Sequence, residues 1–407
     1  MILHEPEISR VDGRIRVHAR IESGHPKLAR LDRLWFEVDA SDGLEVSDRA
    51  DPFLVAMLPI AMACGESLQV RGKTSPRLAW GVHELQHVHF AWWPRHVRIV
   101  DVRYDELEEA PPEARGAGVA SGFSGGVDSL YTLWRHTQDR EAIPGYRISH
   151  ALLINGFDLD VDLEDTGRFD VLRAIYAPLL APLGVELITV RTNLRELRLA
   201  GVGHSGGIRS FGTALIAPAL ALSRSFGRLY LAGARGYGQF EADGSNPTTD
   251  HLLGTTGFQT IHDGADVATR FAKVAVIAAW PEALARLRVC SNPSWQSVDG
   301  KRGVVDNCGS CNKCVWTLTS LELLTGRTTF PSFPRPAARA DLRRAARKNE
   351  RRAAEILREA VARGRRDLAR EVRWGRAQRP LERLFPWAFG HRRRLRVRAV
   401  EKALRGS

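Results

Sequence analysis

Apolar and polar positions alternate in short runs through the first part of the chain: Arg14 to Ile21 reads RIRVHARI, Leu34 to Val38 LWFEV, and His87 to Val100 HVHFAWWPRHVRIV. Period two is the pattern of a half-buried strand, whose successive side chains point to opposite faces. With turn residues between the runs, residues 1–115 are expected to form a β-rich N-terminal domain. The segment Glu108 to Gly118, EEAPPEARGAG, has linker composition and closes it.

From residue 116 the pattern changes. Apolar strands at Val119 to Phe123, Ala151 to Ile154, Glu186 to Val190 and Leu229 to Ala232 alternate with helical stretches that start at Val127, Arg168 and Arg209. Such alternation predicts an α/β domain over residues 116–330, a parallel sheet covered by helices, with ligands at the carboxyl ends of the strands. A Pro-rich break after Phe330, PSFPRPAAR, precedes an Ala/Arg/Glu-rich stretch with helical periodicity from Ala340 to Arg376. Residues 331–407 are therefore expected to be a basic, mainly helical extension built on an exposed helix or helix pair.

Charge sharpens this division. From Arg335 to Ser407 there are 24 Lys and Arg against 8 Asp and Glu, so that this stretch carries +16 and the first 334 residues −4 of the net +12. The basic character belongs to the tail. There Arg392, Arg393 and Arg394, with Trp374 and Trp387 interleaved, suit a phosphodiester backbone and its bases, making nucleic acid a candidate partner beside a solvated basic helix. No run of about 18 uncharged apolar residues occurs, and the start, MILHEPEISRVDGR, has no apolar signal stretch, so a cytoplasmic protein without membrane contact is expected.

Phosphate chemistry is written most densely into Ser121 to Ser129, SGFSGGVDS, where a strand is expected to turn into a helix. Gly125 and Gly126 allow backbone conformations closed to other residues and a close approach of amides to a ligand, while the helix start turns N–H groups toward an anion. Ser124 and Ser129 add hydroxyls. Asp128 is negative, so its expected role is to hold a Mg2+ that bridges to phosphates. The lysine-bearing G-x-x-x-x-G-K-[ST] loop is absent at this site. A weaker echo, His204 to Ser210 (HSGGIRS), has Arg209 in place of the aspartate.

Five cysteines, three of them at Cys308, Cys311 and Cys314, do not make a secreted disulfide framework. Three thiolates within seven residues repel unless they share a cation, and Cys290 is the natural fourth ligand of a tetrahedral site. Zinc is expected, with an iron–sulfur cluster as the alternative. Cys64, in an apolar stretch, belongs to the core. Between the fourth strand and the cysteines lies a polar, glycine-rich stretch carrying Asp250, His251, His262, Asp263, Arg270 and Lys273, candidates for contact with substrate or with charge developing on phosphate. Asn155 and Asp158, past the second strand, fall where a bound nucleoside would rest.

The match of Ser124, Gly125, Gly126, Val127, Asp128 and Ser129 to SGGxDS resembles the signature of the PP-loop ATP pyrophosphatases. Together with a Cys…Cys-x2-Cys-x2-Cys site some 180 residues later, the stretch Ala117 to Gly326 is similar to 7-cyano-7-deazaguanine synthase and its relatives, though Cys290 stands 18 residues before Cys308, farther than in that family. The resemblance implies a Rossmann-like parallel sheet of the PP-loop/HUP type with helices on both faces. It also implies zinc on Cys290, Cys308, Cys311 and Cys314 and ATP over residues 124–129; with the residue reading above, Mg2+ on Asp128, nucleoside contact at Asn155 and catalysis by Asp128, Ser129 and Lys273 are expected. The implied reaction is adenylation of a carbonyl or carboxylate of a small molecule or peptide, followed by attack of a nitrogen nucleophile. Sulfur transfer to tRNA and a non-catalytic nucleotide- or nucleic-acid-binding module are the alternatives.

Overall fold

The computed structural model describes residues 1–29, 31–137, 139–156, 167–199, 211–239, 241–290, 294–298 and 301–379. In chain order the elements are β1 (Ile2–Leu3), β2 (Glu7–Val11), β3 (Arg14–Glu22), β4 (Arg33–Asp39), α1 (Asp51–Cys64), β5 (Leu68–Thr74), α2 (Pro76–Trp92) and β6 (Val102–Leu107). There follow β7 (Gly118–Gly122), α3 (Val127–Arg135), β8 (His150–Asn155), α4 (Gly167–Leu180), β9 (Glu186–Thr192), α5 (Leu194–Leu199), α6 (Phe211–Leu220), β10 (Phe226–Ala232) and β11 (Gln259–Asp263). The last are α7 (Arg270–Ala278), α8 (Pro281–Ala285), β12 (Ser294–Val298), β13 (Lys301–Asp306), α9 (Asn312–Thr325), α10 (Arg339–Lys348), α11 (Glu350–Ala362) and α12 (Arg366–Ala377).

Two compact units result. The first holds Met1–Lys273 with Trp295–Val304, and the second holds Val274–Ser294 with the chain from Val305 onward. In the first, a mixed, mostly parallel sheet runs in the order β11-β10-β7-β8-β9-β4-β3-β1-β5-β6, with β2 paired to β3 off this path. The central strands β7, β8 and β9 read as near-continuous apolar runs because both of their faces are covered, as parallel strands require. The chain lays β8 and β9 on one side of β7, then returns to lay β10 and β11 on the other, all parallel. That reversal opens a crevice beyond the carboxyl ends of β7 and β10.

The four expected strands of this region are present. A fifth, β11, lies where a polar loop was expected: Gln259–Asp263 offers one apolar side chain and little periodicity, and its edge position next to β10 asks for no more.

The N-terminal residues differ from the β-rich expectation. Strands β3 and β4 form as read, but α1 and α2 interrupt them, and the HVHFAWW run belongs to a helix. Ser75 caps α2, its hydroxyl accepting from the Leu78 amide (3.3 Å), and Pro76 opens it. The buried residues Leu78, Gly81, Val82, Leu85, Gln86 and His89 then recur at helical spacing; a window starting at His87 sees only the last turn, where apolar and polar residues happen to alternate. These strands also continue the central sheet, since β4 pairs antiparallel with β9 through Phe36 beside Thr192. Buried Phe36, Phe53, Leu54, Met57 and Leu58 pack in one core with Leu152, Ile188 and Val190, each large apolar side chain contributing about 1.5–3 kcal/mol.

In the second unit, the stretch expected to form one helix or a pair forms three. Asn349 caps α11 by accepting from the Arg352 amide (3.0 Å), and Gly364, at φ +68°, ends it. Gly375 lets α12 lie against α10, because a Cβ there would stand 2.4 Å from the Arg343 carbonyl oxygen. Asp158, the glycine echo at residues 204–210, Trp387 and Arg392 to Arg394 lie outside the described residues.

Candidate functional site

The crevice is floored by the turn from β7 into α3. After β7 the Phe123 amide still bonds to the Leu152 carbonyl (2.8 Å), which fixes the exit of the loop beside β8. Gly125 adopts φ +69°, and a Cβ there would meet the Tyr176 hydroxyl at 1.8 Å, so no other residue fits. Ser124 and Ser129 close the loop on itself: the Ser124 amide donates to the Ser129 hydroxyl (3.3 Å), and the Gly126 amide donates to the Ser124 hydroxyl (3.3 Å). Ser129 Oγ donates to the Gly126 carbonyl (3.2 Å), and Val127 is fully buried as the first apolar anchor of α3. The amides of the first turn of α3 project from the helix start without intrahelical partners.

Asp128 stands in that first turn and collects two cations from α7. Its Oδ2 is 2.6 Å from Arg270 Nη1, and its Oδ1 is 3.9 Å from Lys273 Nζ. Oδ1 is buried and accepts no hydrogen bond. Lys273 is itself buried; its Nζ donates to the Gly233 carbonyl at the end of β10 (2.6 Å) and lies 5.5 Å from the Tyr131 ring centroid. Burial pushes the Lys273 pKa down, and the charges of Asp128 and Asp263 oppose that shift. Arg270, Lys273 and the loop, expected separately from sequence, are thus brought together on Asp128.

Among the described residues, two further polar groups of this region have no partner. Asn155, at the end of β8, is 0 % exposed and neither its amide oxygen nor its nitrogen is hydrogen bonded; the Ser121 hydroxyl, on β7, is in the same state. Buried amides left this way cost about 1–3 kcal/mol each, a cost proteins accept where a ligand supplies the missing partners.

The other candidates separate by the alternation of β11. Asp263 faces α3, where it accepts from Thr132 Oγ1 (2.6 Å) and pairs with His136 Nε2 (3.0 Å) and Arg135 (3.6 Å). Its carboxylate anchors the helix that carries Asp128. Burial alone would lower the pKa of His136, but its bonds to Asp263 and Glu141 raise it. His262 faces the opposite way, toward Asp250 (2.8 Å), and borders a cleft of about 230 Å3 at the end of β10, lined also by Phe211, Gly233, Arg235, Tyr237 and Asp243. His251 stands apart, its ring bonded to the Pro247 carbonyl. Thr132, Arg135 and His136 escape a reading of the sequence because nothing in α3 alone shows that they meet Asp263, 127 or more residues away.

The second unit holds a separate cluster. Cys290, Cys308, Cys311 and Cys314 bring their four sulfurs within 4.8 Å of one another, with Cys290 to Cys311 at 3.8 Å and Cys308 to Cys314 at 4.0 Å. These four are at metal-binding distance. Cys308 precedes a turn in which Gly309 takes φ +66°, Cys311 caps α9, and Cys314 lies in its first turn. Burial would raise the Cys308 pKa, but N–H and O–H groups of Ser310 and Cys311 aimed at its sulfur lower it, whereas the neighbouring thiol of Cys311 and burial push Cys314 up. The tie between the two cysteine segments is Asn307, whose role its sequence position beside Cys308 did not reveal. Its Oδ1 accepts from the amides of Val289 (2.8 Å) and Cys290 (3.1 Å), and its Nδ2 donates to the carbonyls of Leu287 and Ser332 (both 2.7 Å). Arg344 reaches the Ser310 carbonyl at 2.6 Å.

Comparison with known proteins finds no matching family model, curated protein or solved structure. Among the described residues, no helix is long and apolar enough to cross a membrane.

Proposed function

We propose that this chain binds ATP over Ser124 to Ser129 and cleaves it between the α- and β-phosphates, adenylating a carbonyl or carboxylate that a nitrogen nucleophile then attacks. The sheet order supports reading the first unit as a PP-loop, HUP-type fold, with nucleotide at the strand reversal between β7 and β10. The observation that carries the proposal is the constellation on Asp128: a carboxylate oxygen buried without a hydrogen bond, at the start of a helix, between a glycine-locked loop and two cations from α7. A Mg2+ suits that hard oxygen donor, and bound there it would draw phosphate charge to the loop. Arg270 and Lys273 supply positive charge for the leaving pyrophosphate, the loop amides orient it, and Asn155 offers its idle amide to the nucleoside. Incubation with Mg2+ and ATP labelled at the α- and γ-phosphates, with small-molecule, peptide and RNA extracts added, tests this. AMP with pyrophosphate is the expected pair, and ADP with phosphate overturns it.

For the cysteine cluster we favour zinc. A tetrahedron with Zn–S bonds of about 2.3 Å has edges of roughly 3.8 Å, and the two sulfur pairs at 3.8 and 4.0 Å match a single ion. Stoichiometric zinc in colourless protein is expected; a band near 400 nm, from iron–sulfur ligation, would turn the choice and favour sulfur transfer.

A second partner is supported by one surface. On α12, Arg366, Arg370, Arg373 and the 56 % exposed Trp374 share the outward face, a spacing that lets guanidinium groups follow a phosphate chain while the indole stacks on a base. Binding of single-stranded RNA that weakens at least about tenfold in R370E/R373E, with a shallower salt dependence, is expected; equal binding would remove nucleic acid as the partner of this face.

A further inference from the structure

We infer that His262, oriented by Asp250, is the general base that deprotonates the nitrogen nucleophile, and that the cleft beside it receives ammonia or a primary amine. This rests on the adenylation reading above and adds to it the second half of the reaction.

Asp250 is built as an orienting group. Its side chain is 1 % exposed, and its Oδ2 accepts from Ser245 Oγ (2.8 Å) and His262 Nδ1 (2.8 Å) while Oδ1 accepts from the Asn246 amide (3.1 Å). Thr260 Oγ1 donates to the Asp250 carbonyl, which fixes the backbone as well. With Nδ1 committed to the carboxylate, Nε2 is left as the basic nitrogen of the ring. It makes no hydrogen bond to any described residue, and it lies over Gly233, where a Cβ would come within 2.4 Å of it. The Gly233 carbonyl is the group that Lys273 holds, and Lys273 in turn reaches Asp128. One glycine therefore separates the free nitrogen of His262 from the cation set on the phosphate loop.

The cleft has the composition an amine requires. Among the described residues its lining brings the carboxylates of Asp243 (2.5 Å) and Glu241 (3.0 Å) to one guanidinium, Arg235, beside the exposed rings of Phe211 and Tyr237. Burial raises the Asp243 pKa against the pull of Arg235. Negative charge with aromatic faces attracts a nitrogen cation or its neutral conjugate and repels a second carboxylate. In the step itself, the amine lone pair attacks the carbonyl carbon of the adenylate and forms the C–N bond. One N–H proton passes to His262 Nε2, the electrons of the C–O bond leave with AMP, and His262 then releases the proton to solvent. The charged groups that face His262 or share its cleft are Asp250, Arg235, Glu241 and Asp243.

The two halves of the reaction can be read separately in the full chain. The extract fraction that supports AMP release is supplied as acceptor, exchange of labelled pyrophosphate into ATP reports adenylation, and ammonium chloride or hydroxylamine serves as nucleophile. In H262N, exchange is expected to stay within about threefold of wild type, while ammonium-dependent AMP release falls about a hundredfold. Hydroxylamine, reactive without a base, is expected to restore AMP release, and D250N is expected to lose ammonium use in the same way. Undiminished ammonium use in H262N, or joint loss of exchange and ammonium use, overturns the base assignment alone. Absence of exchange in wild type overturns the adenylation reading and the base with it.

Discussion

The loop around Asp128 and the cysteine cluster are polar sites of opposite construction. Around Asp128 the side chains are held by charge, and several buried polar atoms, on Asp128, Asn155 and Ser121, have no partner. Around the cysteines the backbone is held by Asn307, Arg344 and the N–H groups on Cys308. The contrast teaches that open side-chain groups in a crevice suit a ligand that is exchanged, and that a backbone held around clustered thiols suits an ion that stays.

The largest expected effect breaks the permanent site. Because binding of a structural zinc is folding free energy, about 10–16 kcal/mol in small zinc domains, C314S or treatment with a strong chelator is expected to lower the melting temperature by more than about 10 °C, read by calorimetry; an unchanged melt would make the cluster incidental. D128N is expected to reduce AMP formation by about a hundredfold or more with the melt preserved, and near-normal turnover would detach Asp128 from the chemistry. N307A sharpens the comparison, since it should weaken metal retention by about 10–100-fold in a chelator competition without touching ATP binding. G125A, which forces a Cβ onto Tyr176, should cost about 1–3 kcal/mol of stability and weaken ATP binding while leaving metal content alone.

The smallest effect concerns the anchor of α3. His136 has its pKa raised in the folded protein, so its charged form stabilises fully below the ordinary value of 6.5, and that contribution fades as pH rises through the folded value. The gap between wild type and H136Q in denaturant titrations is therefore expected to be widest below pH 6.5 and to narrow as pH rises; a constant gap would deny the charge any role.

How much of this was legible follows from where each signal sits. Strands β7 to β10 announce themselves as apolar runs, and SGGVDS names its own turn because Gly125 and Asp128 are local requirements of one loop. The four cysteines are legible for the same reason. What escaped depends on distance along the chain. Helix α2 was read as a strand because its capping Ser75 and Pro76 lie upstream of the run that drew the eye, and β11 hides because an edge strand needs little apolar periodicity. Asp263 as the partner of Thr132 and His136, and Asn307 as the tie on Cys290, are long-range pairings that no local pattern contains.

The pairing of β4 with β9 has a consequence for how the chain can be cut. In the intact protein β9 has hydrogen-bonded neighbours on both sides. A fragment starting near residue 116 would unpair the end of β9 at Arg191 and Thr192 from Glu37 and Phe36, leaving that end open to another chain. Residues 1–115 thus act as the hem of the central parallel strands, and their removal is a route to aggregation.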